Sequence, residues 1–339
     1  MYNNRYVNEL MSPMGRREAT MTFLKKFSIQ TEDDEDDNCD VKNVIVLDIG
    51  VIIIADVKNA IKAFNMEGKY LDSVTPNNMR CFGLTVTGHN GFAATLNSTV
   101  NAGREETKLK KIGFYELVAP KSDQQQKMVL KEIQTVDTHS RYMAIAVLPN
   151  KKLIGGTKGA VNLMTSEGDA IGPMTSEIEF RTPYHVRVTE SGKIVIADSE
   201  KISISVFDRK GRVEKQLHVG RFGLRGIAST NDVILFVHRK DDFVSMISPD
   251  EEILTHIRAN EEKLNDPQAV FLLQDGRLVI AELGVVKIFR IDDYEKISKE
   301  PSHVSVMSWR GTLGAIALAG FLLYGGIHVL RNARGSGRV

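Results

Sequence analysis

The sequence predicts an all-β fold: a six-bladed β-propeller of four-stranded antiparallel blades, with an N-terminal strand closing the last blade and one C-terminal transmembrane helix after it. Two observations predict it. A pattern of strands and turns recurs six times, mostly at intervals of 40 to 44 residues, which is the period of propeller blades. Near the end, 18 residues from Leu313 to Leu330 contain no Asp, Glu, Lys or Arg, as a membrane span requires. The predicted domains are a flexible segment 1–21, a propeller 22–308, a transmembrane helix 309–330 and a basic tail 331–339.

The clearest repeat unit runs from Tyr184 to Leu217. Its apolar residues alternate with polar ones in short runs, and Gly192 and Gly211 mark tight turns between them. Alternation of this kind, interrupted by turn residues, is typical of hairpin strands. The unit is therefore predicted to form a four-stranded antiparallel meander.

Five further copies of this unit are recognised by their first turn. The six turns fall at residues 50, 91, 151, 192, 232 and 276, and the intervals between them are 41, 60, 41, 40 and 44 residues. One four-stranded sheet cannot cover its own apolar faces, so the units are expected to stack around an axis. The long second interval predicts an insertion around Asn97 to Lys111.

A ring of blades needs a connection between its two chain ends. The strand-like stretch Thr22 to Ile29 precedes the first unit and has no partner within it, while the last unit offers only three strands. We therefore expect the N-terminal stretch to supply the outer strand of the last blade.

The predicted membrane span includes Leu313, Phe321 and Leu330, and a helix of this length rises about 27 Å. Since no secretory signal precedes the propeller, we expect a tail-anchored protein with its propeller in the cytosol, in the mitochondrial outer membrane or the endoplasmic reticulum. Small residues spaced four apart favour weak self-association on one helix face; they are Gly311, Ala315 and Ala319.

Composition excludes several function classes. With 44 Lys plus Arg against 43 Asp plus Glu, the net charge is +1, which argues against a generally basic nucleic-acid coat. The two cysteines, Cys39 and Cys81, cannot build a four-ligand zinc module. No sequence motif of a common catalytic site occurs, so neither catalytic residues nor a cofactor nor a metal is predicted.

The repeat pattern resembles the NHL-type propeller. The resemblance lies in an apolar strand, a turn, a strand ending in Ala-Asp and an aromatic residue before the next turn, and it covers roughly residues 22 to 300. The opening unit, NVIVLDIGVIIIADVKNAIKAFNMEGKYLDSV, is similar to the C-terminal propeller of invertebrate tripartite-motif proteins. Such proteins carry RING and B-box modules ahead of the propeller, and these would supply ubiquitin-ligase activity. This sequence lacks both modules, so the resemblance implies substrate recognition alone.

The expected binding face carries the linkers that lead into the first strands and the loops between second and third strands. Acidic side chains share this face with basic and aromatic ones, and the overall charge is near zero, so a protein or peptide ligand is preferred. The predicted function is therefore a membrane-tethered, non-enzymatic recognition propeller. The candidate residues are Arg80, Arg141, Tyr142, Lys158, Tyr184, His185, Arg225, Arg239 and Lys240.

Two alternatives stay open at this point. Some six-bladed propellers are calcium-dependent hydrolases or lactonases, and here Asp40, Asn265 and Asp266 would be the calcium ligands. Other propellers of the NHL type bind single-stranded RNA through basic and aromatic side chains, a function for which Arg225 and Arg239 are the candidates.

Overall fold

The computed structural model describes residues 16–32, 34, 39–58, 60–76, 79–98, 109–119, 128–175, 177–219, 223–229, 233–239, 241–247 and 254–295. Within these ranges lie 24 β-strands, arranged as an all-β propeller. The predicted transmembrane helix, the basic tail and the small-residue ladder lie outside them. In the described ranges, no helix has the length and apolarity that crossing a membrane requires.

Four blades are separate four-stranded sheets, and each is an antiparallel meander. The first contains β2 (Val41–Leu47), β3 (Val51–Asp56), β4 (Ile61–Asn65) and β5 (Tyr70–Val74). The second contains β6 (Met79–Val86), β7 (Gly91–Ser98), β8 (Lys110–Val118) and β9 (Val129–Asp137). The third contains β10 (Ala144–Val147), β11 (Leu153–Thr157), β12 (Ala160–Met164) and β13 (Ala170–Pro173). The fourth contains β14 (Pro183–Val188), β15 (Ile194–Asp198), β16 (Ser203–Phe207) and β17 (Val213–His218).

The last eight strands form one sheet, here called the joint sheet, in the order β18-β19-β20-β21-β1-β24-β23-β22. One half contains β18 (Leu224–Ser229), β19 (Ile234–His238), β20 (Phe243–Ile247) and β21 (Leu254–Ala259). The other half contains β22 (Ala269–Leu272), β23 (Arg277–Ala281), β24 (Val285–Ile291) and the N-terminal strand β1 (Arg16–Ser28).

Strand β1 joins the two halves of the joint sheet. Its residues from Met21 to Ser28 pair antiparallel with β24, so the N-terminal strand lies beside the last unit of the chain, as predicted. Its residues from Arg16 to Met21 pair parallel with β21, which the sequence did not predict. The strand begins at Arg16 rather than Thr22, so the segment predicted as flexible, 1–21, contributes six residues to the sheet.

The prediction of six separate blades is not met. The structure has four separate blades, and the reason is the 13-residue length of β1, which is enough to reach both β21 and β24. The first strands of the six repeat units nevertheless touch in a closed sequence: β2, β6, β10, β14, β18, β22 and again β2. They surround the central channel of the propeller.

The apolar core lies between neighbouring sheets. Ile53 of the first blade and Phe92 of the second belong to one buried cluster, and Phe64 shares another with Ile288 of the joint sheet. Burying such side chains is worth roughly 1.5–3 kcal/mol each. Near the channel the first strands approach so closely that a Cβ atom on Gly226 would lie 2.6 Å from the Ala269 Cα atom.

Candidate functional site

The candidate site is a cavity at one end of the central channel. The first strand of each unit runs from a linker to a tight turn, so the channel has a linker face and a turn face. At the linker face a cavity of about 250 Å³, here called the linker-face cavity, lies between the first strands. Its lining residues are Val41, Lys42, Phe82, Met143, Tyr184, His185, Arg225 and Gln268.

The repeat itself positions these side chains. Lys42, Tyr184 and Gln268 each stand eight residues before the turn glycine of their unit, which is Gly50, Gly192 or Gly276. Those glycines have φ values of 73°, 81° and 81°. This is a left-handed backbone conformation, which residues other than glycine adopt only at an energetic cost. Equal spacing from equivalent turns brings equivalent positions of different units to the same height in the channel.

Positive charge dominates the linker-face cavity, and no carboxylate side chain is among its lining residues. Lys42 Nζ is paired with Asp40 Oδ1 at 2.6 Å. Arg225 is different, because its Nε is buried and has no hydrogen-bond partner. A buried N–H without an acceptor is costly, and a ligand oxygen would satisfy it.

His185 lies in the same cavity and is only 7% exposed. Burial, and then the charges of Arg187, Arg225 and Lys42, lower the pKa of His185 to about 3. The imidazole is therefore neutral at physiological pH. It offers the cavity a hydrogen-bonding ring and no charge.

Acid should destabilise the protein through His185. Its folded-state pKa lies below the ordinary value of 6.5, so between about pH 6.5 and pH 3 the unfolded chain binds a proton that the folded chain does not. Stability from this group is full above pH 6.5 and falls as the pH falls. Between pH 7 and pH 5 the expected loss is about 2 kcal/mol of unfolding free energy, measurable by denaturation at both pH values.

Substituting His185→Gln should remove that part of the pH dependence. The matched control is His89→Gln, because the His89 side chain is 73% exposed. An unchanged pH dependence in the His185 variant would contradict a buried neutral imidazole.

The structure brings together some of the predicted face residues. Tyr184, His185 and Arg225 line the linker-face cavity. Arg141 lies beside it, with its guanidinium carbon 5.4 Å from the centre of the Phe82 ring, a cation–π distance. Arg141 therefore adjoins the cavity through Phe82.

Other predicted residues lie elsewhere. The Tyr142 ring is buried, 3% exposed, and packs against Gly155 within the third blade, so it is not a surface side chain. Arg239 is paired with Asp266 at 3.1 Å. Arg80 and Lys158 are exposed, whereas Lys240 lies outside the described residues.

The acids at the ends of second strands have a structural role. Asp56 accepts a hydrogen bond from the Asp40 backbone N–H, and Asp198 accepts one from that of Arg181 at 2.7 Å. Glu282 accepts a hydrogen bond from the Asn265 backbone N–H in the same way. Each acid therefore ties its blade to the linker that enters it, and all three are buried.

The two aspartates among the proposed calcium ligands are paired with cations. Asp40 is paired with Lys42 and Asp266 with Arg239. Across the described ranges, no group of three or more His, Cys, Asp or Glu side chains is placed to hold a metal ion.

Sequence reasoning missed Lys42, Met143 and Gln268 as lining residues. The signal was available, because Met143 also stands eight residues before its turn, at residue 151. Aligning the units on their turns, rather than searching for basic and aromatic residues, would have found all three.

Comparisons with known proteins identify the fold. No family model matches the chain, and no curated protein matches it. A Bacteroides thetaiotaomicron protein of unknown function is 9% identical, with a TM-score of 0.58 over 81% of this chain and 74% of that chain. Virginiamycin B lyase from Staphylococcus aureus is 12% identical, with a TM-score of 0.51 over 78% of this chain and 98% of its own.

The WD40 β-propeller domain of Doa1 is 10% identical, with a TM-score of 0.51 over 79% of this chain and 96% of that chain. The neighbours thus include an enzyme and a WD40 domain, and identities this low carry the fold and not the activity. By its own strands and by these neighbours, the chain is a β-propeller.

Proposed function

We propose that the protein is a non-enzymatic recognition module that binds an acidic protein or peptide segment at its linker face. The observation that carries the proposal is the linker-face cavity, where Arg225 Nε is buried without a hydrogen-bond partner and no carboxylate lines the wall. A carboxylate from a ligand would supply both the acceptor and the opposite charge.

The rim of the cavity supports a peptide ligand. Tyr184 and Phe82 line the cavity, and Arg141 covers the Phe82 ring. Aromatic residues and arginine are enriched at protein interfaces because they combine apolar area with directional hydrogen bonds.

The wider architecture is part of the same proposal. We infer that the two halves of the joint sheet act as the fifth and sixth blades, since their first strands β18 and β22 touch each other and the first strands of the neighbouring blades. The resemblance of the repeat pattern to NHL-type propellers, such as those of tripartite-motif proteins, fits that arrangement.

A membrane tether through residues 309–330 would hold the propeller at a cytosolic membrane surface. Loss of membrane binding on deleting residues 309–339 would test this tether.

The two alternatives gain no comparable support. A calcium-dependent hydrolase needs carboxylates that are free to bind the ion, whereas Asp40 and Asp266 are paired with cations. Capture of an RNA strand needs a basic groove with aromatic stacking platforms. Of the two arginines considered for it, Arg239 is neutralised by Asp266, and the ring of Tyr142, an aromatic residue predicted on the same face, is buried.

Acidic peptides should bind the full-length protein in detergent, and their amide versions should not. A peptide array would compare sequences containing Asp or Glu with the same sequences carrying Asn or Gln. For the peptides that bind, Arg225→Gln should weaken binding roughly tenfold or more in fluorescence anisotropy, because a charge-assisted hydrogen bond contributes about 1.5–3 kcal/mol.

The matched control is Arg239→Gln. This arginine was predicted on the same face, but its charge is already engaged by Asp266, so affinity should change less than about twofold. Equal binding of acidic and amide peptides, or equal effects of the two substitutions, would refute the proposal.

A further inference from the structure

The other end of the channel holds a larger cavity, here called the turn-face cavity, of about 770 Å³. Its size lies within the range of small-molecule sites, roughly 300–1,000 Å³. It is distinct from the linker-face cavity, and the two share no lining residue.

At one height of this cavity, the repeat places one charged residue among apolar ones. Ile45, Val86, Ala146, Arg187 and Phe271 each stand five residues before the first turn of their unit, and all five line the turn-face cavity. Because these positions are equivalent, they lie at a similar height around the channel. Four of them are apolar, and Arg187 is the single cation at that height in those five units.

Arg187 has no anionic partner among the described residues. Its guanidinium donates to three neutral oxygens: Asn43 Oδ1 at 2.9 Å, the Val186 carbonyl at 3.3 Å and the Leu84 carbonyl at 3.4 Å. Burial lowers the pKa of Arg187 to about 10, so the side chain stays charged at neutral pH. An arginine has five N–H groups, and these three bonds leave donors for a ligand.

The carboxylates of the turn-face cavity are held by neighbours rather than by Arg187. Three carboxylates of the described residues line this cavity. Glu190 accepts a hydrogen bond from Gln274 Nε2 at 2.8 Å, and Asp275 is paired with Arg277 at 2.7 Å. Asp48 Oδ2 lies 3.6 Å from His89 Nδ1. Their negative charge disfavours a polyanion such as a nucleic acid or a polyphosphate. A ligand with one negative charge and an apolar body matches Arg187 and the four apolar side chains that lie at its height in the cavity.

We propose that the turn-face cavity binds the carboxylate of an apolar ligand, with the carboxylate on Arg187 and the apolar body against Ile45, Val86 and Phe271. The guanidinium fork matches the two oxygens of a carboxylate. Two sources share this chemistry, a small organic acid and the C-terminus of an apolar peptide. The site lies at the opposite end of the channel from the proposed peptide site, so either can exist without the other.

Calorimetry on the full-length protein tests this site with two acid and amide pairs. One pair is 4-phenylbutyrate and 4-phenylbutyramide; the other is N-acetyl-Leu-Phe-Leu with a free or an amidated C-terminus. In at least one pair the acid should bind at least tenfold more tightly than the amide, and the pair with the tighter acid identifies the source. Arg187→Gln should abolish that preference, whereas Arg258→Gln, which changes an exposed arginine that lines neither cavity, should retain it.

A second measurement avoids any folding defect of the Arg187 variant. In the wild-type protein, the nitrogen resonances of the Arg187 guanidinium should shift when the acid is added and stay in place with the amide. The proposal is overturned if neither pair shows an acid preference, or if the preference survives Arg187→Gln. It is equally overturned if the Arg187 resonances do not respond to the acid that binds.

Discussion

Substituting Lys62→Met should lower the free energy of unfolding by about 3–5 kcal/mol, the usual cost of removing one partner from a buried ion pair. The Lys62 side chain is 1% exposed and its Nζ lies 2.6 Å from Asp34 Oδ2 and 3.1 Å from Asp56 Oδ2. Methionine has a similar volume but no charge, so both carboxylates would stay buried without their cation. Urea denaturation followed by circular dichroism measures the loss.

The bonds of Lys62 explain why the effect should be large. Burial alone lowers the pKa of Lys62, but the hydrogen bond to Asp34 and the charge of Asp56 outweigh it, so the pKa lies above its ordinary value. The ammonium also donates to the Ile29 carbonyl at 3.1 Å. Lys62 therefore ties the segment after β1 to the first blade.

The matched control is Lys25→Met, on strand β1 of the joint sheet. Lys25 pairs with Glu67, but the two side chains are 37% and 75% exposed, and exposed pairs contribute only about 0–1 kcal/mol. If the Lys62 and Lys25 variants lost similar stability, the buried cluster would not have the role assigned to it.

A buried lysine of this kind could not be predicted from sequence. In the strand Ile61–Asn65 the order Ile-Lys-Ala-Phe suggests a lysine on the solvent side, because successive side chains point to opposite faces. In a propeller both faces of a blade are covered by neighbouring sheets, so the same position is buried. Lys287 repeats the arrangement in the joint sheet, where Glu282 lies 2.9 Å from its Nζ.

Local features of the fold were predictable because they depend on neighbours in sequence. The turn glycines Gly50, Gly192 and Gly276 all adopt positive φ, and the meanders around them form as expected. The parallel pairing of β1 with β21 was not predictable. It joins residues more than 200 positions apart, and no local pattern records the partner of an edge strand.

The site was predictable in part for the same reason. Tyr184, His185 and Arg225 meet in the linker-face cavity because their distance from the turn is fixed by the repeat. Residue type alone misplaced Tyr142, whose ring packs on Gly155 within its own blade. Residue type alone also did not single out Arg187. The importance of this arginine depends on the lack of an anionic partner for it among the described residues.

Substituting Met21→Ala should destabilise the protein by about 2–5 kcal/mol, the cost of a large-to-small change in a well-packed core. Met21 is 0% exposed and is the residue at which the two pairings of β1 meet, with Ala259 on one side and Ile291 on the other. Its side chain packs in a cluster with Phe289. The cavity would therefore open where the joint sheet is held together.

Leu24→Ala is the matched control, because Leu24 lies on the same strand and is 42% exposed. Surface substitutions of this kind usually change stability by less than about 0.5 kcal/mol. Denaturation of both variants compares a buried position of β1 with an exposed one, which lies at the bulge between Phe23 and Lys25. Equal losses would mean that β1 contributes its backbone hydrogen bonds alone. A much larger loss for Met21 would mean that the propeller is closed by the packing of β1 against both halves of the joint sheet.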